Sequence, residues 1–215
     1  MKIGVLGTGA VGSVLGAGLI KLGHEVKIGS RDPKSDKLKE WMAKNGAKAS
    51  ADTFAEAAAF GEMIVLATLW TGTENALKLA GANNFTGKVV IDCTNPLVFN
   101  NPGGPPNLAL AHTDSGGEQV QRWLPKARVV KAFNMVGNAH MVNPDFPGGP
   151  PDMFICGNDA NAKERVTDIL KQFGWSVIDI GGIEGARLLE PLCILWVLYG
   201  MKTGSWNHAF KLLRK

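Results

Sequence analysis

The stretch KIGVLGTGAVG, residues 2–12, decides the fold of this chain. Residues 2–6 predict a short buried strand, and the GxGxxG string that follows predicts a tight turn. Small and apolar residues then predict a helix from Gly12 to Leu22, and Gly23 ends it, as glycine commonly does. A strand, a glycine-rich turn and a helix in this order indicate the first unit of a dinucleotide-binding fold.

Each glycine of the string has its own task. Gly7 permits the tight turn, Gly9 lets the backbone approach a pyrophosphate, and Gly12 lets the helix pack closely on the strand. The helix N-terminus offers free N–H groups and the positive end of its dipole to phosphates. We therefore predict that this loop binds the pyrophosphate of a dinucleotide. The residues between the glycines, which would share in that binding, are Thr8, Ala10 and Val11.

The end of the second predicted strand indicates which dinucleotide is bound. Residues 25–29 predict this strand, and Ser30 and Arg31 follow it at the place where NAD-binding folds carry an acid. A hydroxyl and a guanidinium suit the 2′-phosphate of NADP, and Lys34 is near enough to add its charge. Asp32 either caps the next helix or points at the ribose. We predict NADP(H) as the cofactor.

Strands and helices alternate along the rest of the chain. The sequence predicts further strands at residues 47–50, 63–67, 89–92, 129–132, 153–156 and 176–180, and helices at 36–45, 53–59, 73–80, 119–124 and 160–173. From about Glu184 to the end the prediction is helical, with interruptions near Gly200 and Gly204. This order predicts an α/β fold of the Rossmann type, a doubly wound, mostly parallel sheet with a small C-terminal helical part. We predict an NADP-binding Rossmann domain at 1–150 and a small C-terminal domain, completing the substrate pocket, at 151–215.

The remaining candidate site residues follow strands, because ligands of open α/β sheets bind beyond the carboxyl ends of the strands. Trp70 stacks on a ring or simply packs, and the sequence leaves both open. Asn134 and Met135 are predicted to line the nicotinamide end. The residues after the fourth and fifth strands are Ala67, Thr68, Leu69 and Trp70, and Cys93, Thr94, Asn95 and Pro96.

Composition excludes several classes of protein. The chain has 215 residues, 45% of them hydrophobic, and a formal net charge of +4. Its three cysteines, none in a C-x-x-C pair, argue against a disulfide scaffold or a zinc knuckle and favour a soluble, cytoplasmic protein. No hydrolase elbow, H-E-x-x-H motif or His/Cys cluster occurs, so we predict no metal and assign no catalytic residue. His140 and Asn138, near the presumed nicotinamide end, are the exceptions that merit a test.

The positive charge lies at the two ends of the sequence. Residues 1–50 carry nine basic and four acidic side chains, and residues 201–215 carry four basic and none acidic. No run of five basic residues and no reading motif accompanies this charge, so we predict no nucleic-acid partner. The apolar stretch 188–201 contains Glu190 and Pro191 and is too short to span a bilayer. Its side chains suit either a core or a dimer interface.

Five stretches make the chain resemble the NADPH-dependent coenzyme F420 reductases, or F420:NADP oxidoreductases, and it is also similar to the reductase domains of the STEAP metalloreductases. These stretches are 7–12, 29–31, 129–134, 185–190 and 199–213. The resemblance implies direct hydride transfer between NADPH and a deazaflavin (coenzyme F420) or a flavin (FMN or FAD), usually in a homodimer. It also implies small-molecule cofactors as the partners. The alternatives are a flavin-mediated ferric or cupric reductase of the STEAP type and a non-catalytic NADP-binding sensor.

The resemblance also implies roles for particular residues. Trp70, Asn95 and Met135 would surround the nicotinamide half of the cofactor. The segments 100–114 and 147–151 look inserted relative to the family, and both contain the string Pro-Gly-Gly-Pro-Pro, which predicts rigid surface loops or a flap over the site. The basic C-terminal end meets the anionic groups of coenzyme F420 or forms a solvated helix face. The sequence leaves both pairs of alternatives open.

Overall fold

The computed structural model describes residues 1–100 and 103–215. The described chain contains ten strands and seven α-helices, joined by short turns and four 3₁₀ turns. The strands are β1 (Lys2–Leu6), β2 (Glu25–Ser30), β3 (Ala49–Thr53), β4 (Met63–Leu66), β5 (Val89–Asp92), β6 (Leu97–Val98), β7 (Asn107–Leu108), β8 (Arg128–Lys131), β9 (Asp152–Gly157) and β10 (Ser176–Asp179). The helices are α1 (Ala10–Lys21), α2 (Asp36–Asn45), α3 (Phe54–Phe60), α4 (Trp70–Ala80), α5 (Gly116–Trp123), α6 (Ala160–Gln172) and α7 (Ala186–Thr203).

Eight strands form one sheet in the order β10-β9-β8-β5-β4-β1-β2-β3, and β6 and β7 pair with each other as a separate antiparallel ribbon. All neighbours in the large sheet are parallel except β8 and β9, so β9 and β10 run against the other six strands. Strands β1, β4, β5 and β8 are buried almost throughout, which the uninterrupted apolar runs of a sheet covered on both faces predict. The Rossmann-type, mostly parallel α/β fold is confirmed.

The register brings the ends of the central strands level with one another. Leu6 of β1 lies beside Gly29 of β2 and Leu66 of β4, and Asp92 of β5 lies beside Leu66 and Lys131. The loops that follow these strands therefore emerge at a single edge of the sheet, the carboxyl edge. In open α/β sheets this edge carries the ligand crevice.

The predicted helix at the end of the chain is wrong beyond Gly204. This glycine has a left-handed φ of 69° and ends α7. The last residues run as an extended tail, because Asp152 binds their backbone: its N–H donates to the oxygen of Phe210, and its carboxylate accepts the N–H of Leu212. The Trp206 ring covers Gly200, where a Cβ would overlap it. These tertiary contacts outweigh the helical pattern, so the basic C-terminal end is not a helix face.

Two features concern segments that the sequence placed less clearly. The short ribbon of β6 and β7 falls inside the segment 100–114 and its approach, where we predicted no strand. Residues 101 and 102 of that segment lie outside the described residues, and residue 102 is the first proline of the first Pro-Gly-Gly-Pro-Pro string. Strands β9 and β10, beyond residue 150, extend the same sheet, and the domain boundary at residue 150 stays a prediction.

Among the described helices, none is long and apolar enough to cross a membrane.

Candidate functional site

The glycine loop between β1 and α1 has the backbone that its sequence predicts. Gly7 adopts a φ of 124°, which side-chain-bearing residues rarely adopt, and a Cβ there would overlap the carbonyl oxygen of Ala67. A Cβ on Gly12 would overlap the carbonyl oxygen of Gly7. Both glycines are therefore required for the close approach of β1, α1 and the end of β4.

The third glycine of the loop faces open space. Gly9 is the N-cap of α1, and a Cβ added to it would meet nothing within 4 Å. No described side chain caps this helix end, so the N–H groups of its first turn have no side-chain partner there. Free N–H donors and the positive end of a twelve-residue helix suit a pyrophosphate, so the chain's own residues fit the phosphates of a dinucleotide.

A cleft of about 910 Å³, which we call the phosphate cleft, runs from this loop along the carboxyl edge. Among the predicted site residues, Gly12 lies beneath the loop and Lys34 lies outside the lining. The predicted residues that line the cleft are Gly7, Thr8, Gly9, Ala10, Val11, Ser30, Arg31, Ala67, Thr68 and Leu69. Eight further residues line the cleft, and of these the sequence singled out Asp32 and Cys93: Asp32, Ser35, Phe54, Thr71, Gly72, Asn75, Ala76 and Cys93.

The turn after β2 shapes the far end of the phosphate cleft. The Ser30 hydroxyl oxygen accepts the N–H of Asp32 at 3.0 Å, and Asp32 Oδ1 accepts the N–H of Lys34 at 3.2 Å. Asp32 therefore closes this turn, while Ser35 is the N-cap of α2. Arg31 is exposed and forms no ion pair with a carboxylate in the described part of the chain. Its guanidinium is free for an anionic ligand at the cleft.

A second, smaller cavity of about 320 Å³, which we call the inner cavity, adjoins the phosphate cleft. The two share the lining residues Val11, Thr68, Leu69, Thr71 and Cys93. The inner cavity adds Trp70, Thr94, Asn95, Leu97 and Phe99. The cleft and the cavity together form one elongated crevice, polar at the β2 end and mainly apolar at the β5 end.

Trp70 packs in the protein and also lines the inner cavity, and its stacking on a ligand ring stays a prediction. It begins α4, and its ring stacks on Trp123 of α5 with centroids 5.5 Å apart and planes at 27°. The stack fixes one wall of the cavity. The exposed side chains of Leu69 (82%) and Phe99 (73%) form an apolar mouth beside it.

The residues after β8 brace the cavity from behind. Asn134 and Met135 are buried, and neither lines the cleft or the cavity; Pro96 is also buried outside both linings. Asn134 Nδ2 donates to Asn95 Oδ1 at 3.0 Å and to the oxygen of Leu189 at 2.8 Å, and Asn95 Nδ2 donates to the oxygen of Asn134 at 2.7 Å. This reciprocal pair holds the lining residue Asn95 and ties it to α7.

Sequence reasoning missed a cluster of charged side chains buried directly behind the cavity. Asp92, Lys131 and Glu190, which we call the buried charge cluster, are each at most 1% exposed. Lys131 Nζ lies 3.0 Å from Asp92 Oδ2 and 2.8 Å from Glu190 Oε1, and it donates to the oxygen of Thr94 at 2.7 Å. The signal in the sequence was a charge ending each of two apolar strands, VVID and RVVK. Burial works against the ammonium, but the two carboxylates outweigh it and hold the pKa of Lys131 above its ordinary value.

The cysteine at the junction of cleft and cavity, Cys93, is a buried free thiol. Burial, aided by the neighbouring Asp92 carboxylate, raises the pKa of Cys93 far above its ordinary value. All three cysteines are free and buried. The described residues contain no group of three or more His, Cys, Asp or Glu side chains arranged to hold a metal ion.

The two residues that we singled out for a test lie away from the crevice. His140 Nε2 is 3.0 Å from Asn207 Oδ1, and the His140 ring lies 4.9 Å from that of Phe146. Asn138 and His140 form a 3₁₀ turn and line neither the cleft nor the cavity. The contact of His140 with Asn207 joins this turn to the C-terminal tail.

Comparison with known proteins gives three matches that agree on one family. A family model described as NADP oxidoreductase, coenzyme F420-dependent, matches residues 2–96. An F420-dependent NADP reductase of Methanocaldococcus jannaschii is 31% identical over 99% of this chain and 98% of its own. A solved structure from Arthrobacter sp. FB24, provisionally assigned as an F420-dependent NADP reductase, is 42% identical over the full length of both chains with a TM-score of 0.94.

A more distant relative shares part of its length with this chain. The metalloreductase STEAP3 of Rattus norvegicus is 27% identical over 89% of this chain, and the match covers 36% of the STEAP3 sequence. The likeness therefore concerns about a third of that longer protein.

Proposed function

The chain belongs to the F420-dependent NADP reductase family, and we propose that it exchanges a hydride between NADP(H), bound along the phosphate cleft and the inner cavity, and coenzyme F420, bound at the apolar mouth of that cavity. Membership of this family makes it an NADP-dependent oxidoreductase. The observation that carries the proposal is the continuity of the two spaces, which share five lining residues. One long cofactor can span both, with its phosphates at one end and its reacting ring at the other.

We assign the adenosine end of the cofactor to the turn after β2. The open N–H groups of Ala10 and Val11 would bind the pyrophosphate, and the Ser30 hydroxyl with the Arg31 guanidinium would bind the 2′-phosphate. Support comes from the lining of the phosphate cleft by all four residues and from the absence of an ion pair at Arg31 within the described chain. Lys34 would add long-range attraction from outside the lining.

We assign the nicotinamide to the inner cavity. Thr94 and Asn95 would orient the ring, and both are held from behind, Thr94 by Asp92 and Lys131 and Asn95 by Asn134. Met135 and Pro96 would act by packing beneath these residues, since neither faces the cavity. When bound, NADPH supplies a hydride to the deazaflavin, which takes one proton from water, so that NADP⁺ and the reduced deazaflavin result.

The chain's contribution to this reaction is orientation and exclusion of water. Two rings that exchange a hydride need close, aligned contact more than acid–base help. The apolar mouth formed by Leu69 and Phe99, beside the stacked Trp70, suits the flat ring of a deazaflavin. Among the described lining residues of the inner cavity the titratable side chain is Cys93, whose raised pKa keeps it protonated at neutral pH.

The STEAP relatives suggest a second acceptor in place of F420, which is a flavin, FMN or FAD. One assay distinguishes the proposed reaction from metal reduction of the STEAP type and from NADP binding by a non-catalytic sensor. The protein is mixed with NADPH and F420, FMN, FAD, flavin with ferric ion, or no acceptor, and absorbance is followed at the NADPH and F420 bands. Oxidation that requires F420 supports the proposal, and tight NADPH binding without turnover contradicts it.

We also propose a homodimer, supported by one face of α7. Leu188, Leu195 and Tyr199 are 69%, 51% and 54% exposed and recur at helical spacing, with Leu192 half-buried between them. An apolar face of this length on a polar surface favours burial against a second copy of the chain. A cytoplasmic location is part of the same proposal, supported by the three free thiols, which suit a reducing compartment.

A further inference from the structure

The buried charge cluster has an excess of negative charge. Asp92 Oδ1 accepts the N–H and the hydroxyl of Thr94 at 2.9 and 2.7 Å, and Glu190 accepts the N–H groups of Gly116 and Gly117, both at 2.9 Å. Every partner of the two carboxylates is a donor. Two carboxylates and one ammonium give the cluster a formal charge of −1.

This charge lies one residue behind the wall of the inner cavity. Thr94 lines that cavity, and the cluster binds all three of its polar groups: Asp92 binds its N–H and hydroxyl, and Lys131 binds its carbonyl oxygen at 2.7 Å. No other lining residue of the cavity has its backbone and side chain held in this way by charged groups in the described chain. The cluster therefore fixes Thr94 and places its excess of one negative charge behind this lining residue.

Stability alone gives a weak reason for such a cluster. Removing charges from water costs several kcal/mol per ion, and apolar side chains of similar volume often serve a core equally well. The N-terminus of α5, at Gly116 and Gly117, offsets about half a unit of the excess charge. The cluster therefore keeps a net negative charge, whose potential extends past Thr94 toward the cavity.

That potential distinguishes the two redox forms of nicotinamide. The ring is a neutral dihydropyridine in NADPH and a pyridinium with a charge of +1 in NADP⁺. We propose that the buried charge cluster is a positioning unit that, through Thr94, favours the oxidised nicotinamide of NADP⁺ over the reduced ring. The inference rests on the proposed function, since it takes the inner cavity as the nicotinamide site. Asp92, Lys131 and Glu190 act from behind the wall, so they are positioning residues.

Binding of the two redox forms tests this directly. Glu190→Gln removes one negative charge at constant size, and Asp92→Asn removes it from the other side of the ammonium. Glu164→Gln, on the exposed face of α6, makes the same change in net charge away from the crevice. Dissociation constants are measured for NADP⁺, NADPH and adenosine 2′,5′-bisphosphate, a probe with the 2′-phosphate and no nicotinamide, and folding is monitored by thermal melting.

We expect each cluster variant to bind NADP⁺ roughly fivefold or more weakly, from the loss of one nearby charge, and to bind NADPH and the bisphosphate almost as the wild type does. Glu164→Gln should leave all three constants unchanged. An equal loss for NADP⁺ and NADPH would show a merely structural role and overturn the proposal. If both variants unfold, the wild-type protein alone tests the proposal, and a lower dissociation constant for NADPH than for NADP⁺ overturns it. Failure of the wild type to bind even the bisphosphate would instead contradict the proposed function.

Discussion

Gly12 and Gly7 touch backbone to backbone: a Cβ on Gly12 would overlap the carbonyl oxygen of Gly7. The contact closes the loop on which α1 begins, and it separates two roles of the glycine string. Gly7 and Gly12 allow the chain to pack, whereas Gly9 borders open space at the phosphate cleft.

The glycine string gives a contrast between stability and binding. Gly9→Ala should lower the free energy of unfolding by at most about 1 kcal/mol, because it removes a good N-cap. It should raise the Kd for NADPH at least about tenfold, because the added methyl group occupies the space through which the phosphates approach. Gly12→Ala should cost about 1–3 kcal/mol through overpacking. Thermal melting and NADPH titration of both variants check this. Equal effects of the two changes on melting temperature would contradict it.

Arg31 should set the preference for NADPH over NADH. A charged hydrogen bond to a phosphate contributes about 1.5–3 kcal/mol, so Arg31→Ala should raise KM for NADPH about ten- to a hundredfold and leave KM for NADH nearly unchanged. Lys34→Ala, which removes a charge outside the cleft lining, is the matched control and should have a smaller effect. Steady-state kinetics with both nucleotides provide the measurement. A similar rise in both KM values would refute the assignment.

The cysteines should resist alkylation in the native protein. Burial raises the pKa of Cys93 far above its ordinary value, that of Cys156 to about 12 and that of Cys193 to about 11. Because the reactive thiolate is scarce below a raised pKa, modification by iodoacetamide should stay slow from pH 7 to 9. Mass spectrometry should detect all three adducts only after denaturation. Rapid labelling of Cys93 at pH 7, or loss of kcat in Cys93→Ala, would contradict an inert thiol at the cavity.

The exposed face of α7 should hold two copies of the chain together. Leu195→Glu places a charge in the middle of that face and should shift the protein from dimer to monomer in light scattering. Leu79→Glu, on α4 with a similar exposure of 52%, is the control and should leave the mass unchanged. A wild-type protein that is monomeric at micromolar concentration would rule out this interface.

The parts of the fold that depend on local pattern were predictable from the sequence. Apolar runs such as MIVL and VVID predicted β4 and β5, because a strand covered on both faces has no polar side. The tail after Gly204 could not be predicted in the same way, because its extended form depends on a hydrogen bond to the distant Asp152. The two-residue strands β6 and β7 are too short to produce a period.

Similar limits apply to the site. The glycine string, Ser30 and Arg31 could be predicted because each lies at the end of a strand that its local pattern indicates. The pairing of Lys131 with Glu190, and of Asn95 with Asn134, joins residues far apart in the chain, and nothing in a local pattern predicts such contacts. Phe54 and Asn75 line the cleft from helices whose faces the sequence did not orient.

The central claim is hydride exchange between NADPH and coenzyme F420 in the joined cleft and cavity. It is tested most directly by mixing the wild-type chain with NADPH and oxidised F420 and following both absorbance bands without another acceptor. We expect the two bands to fall together, one NADPH for each F420, and to recover when NADP⁺ is added to reduced F420. Unchanged bands under these conditions, with NADPH demonstrably bound, would contradict the account.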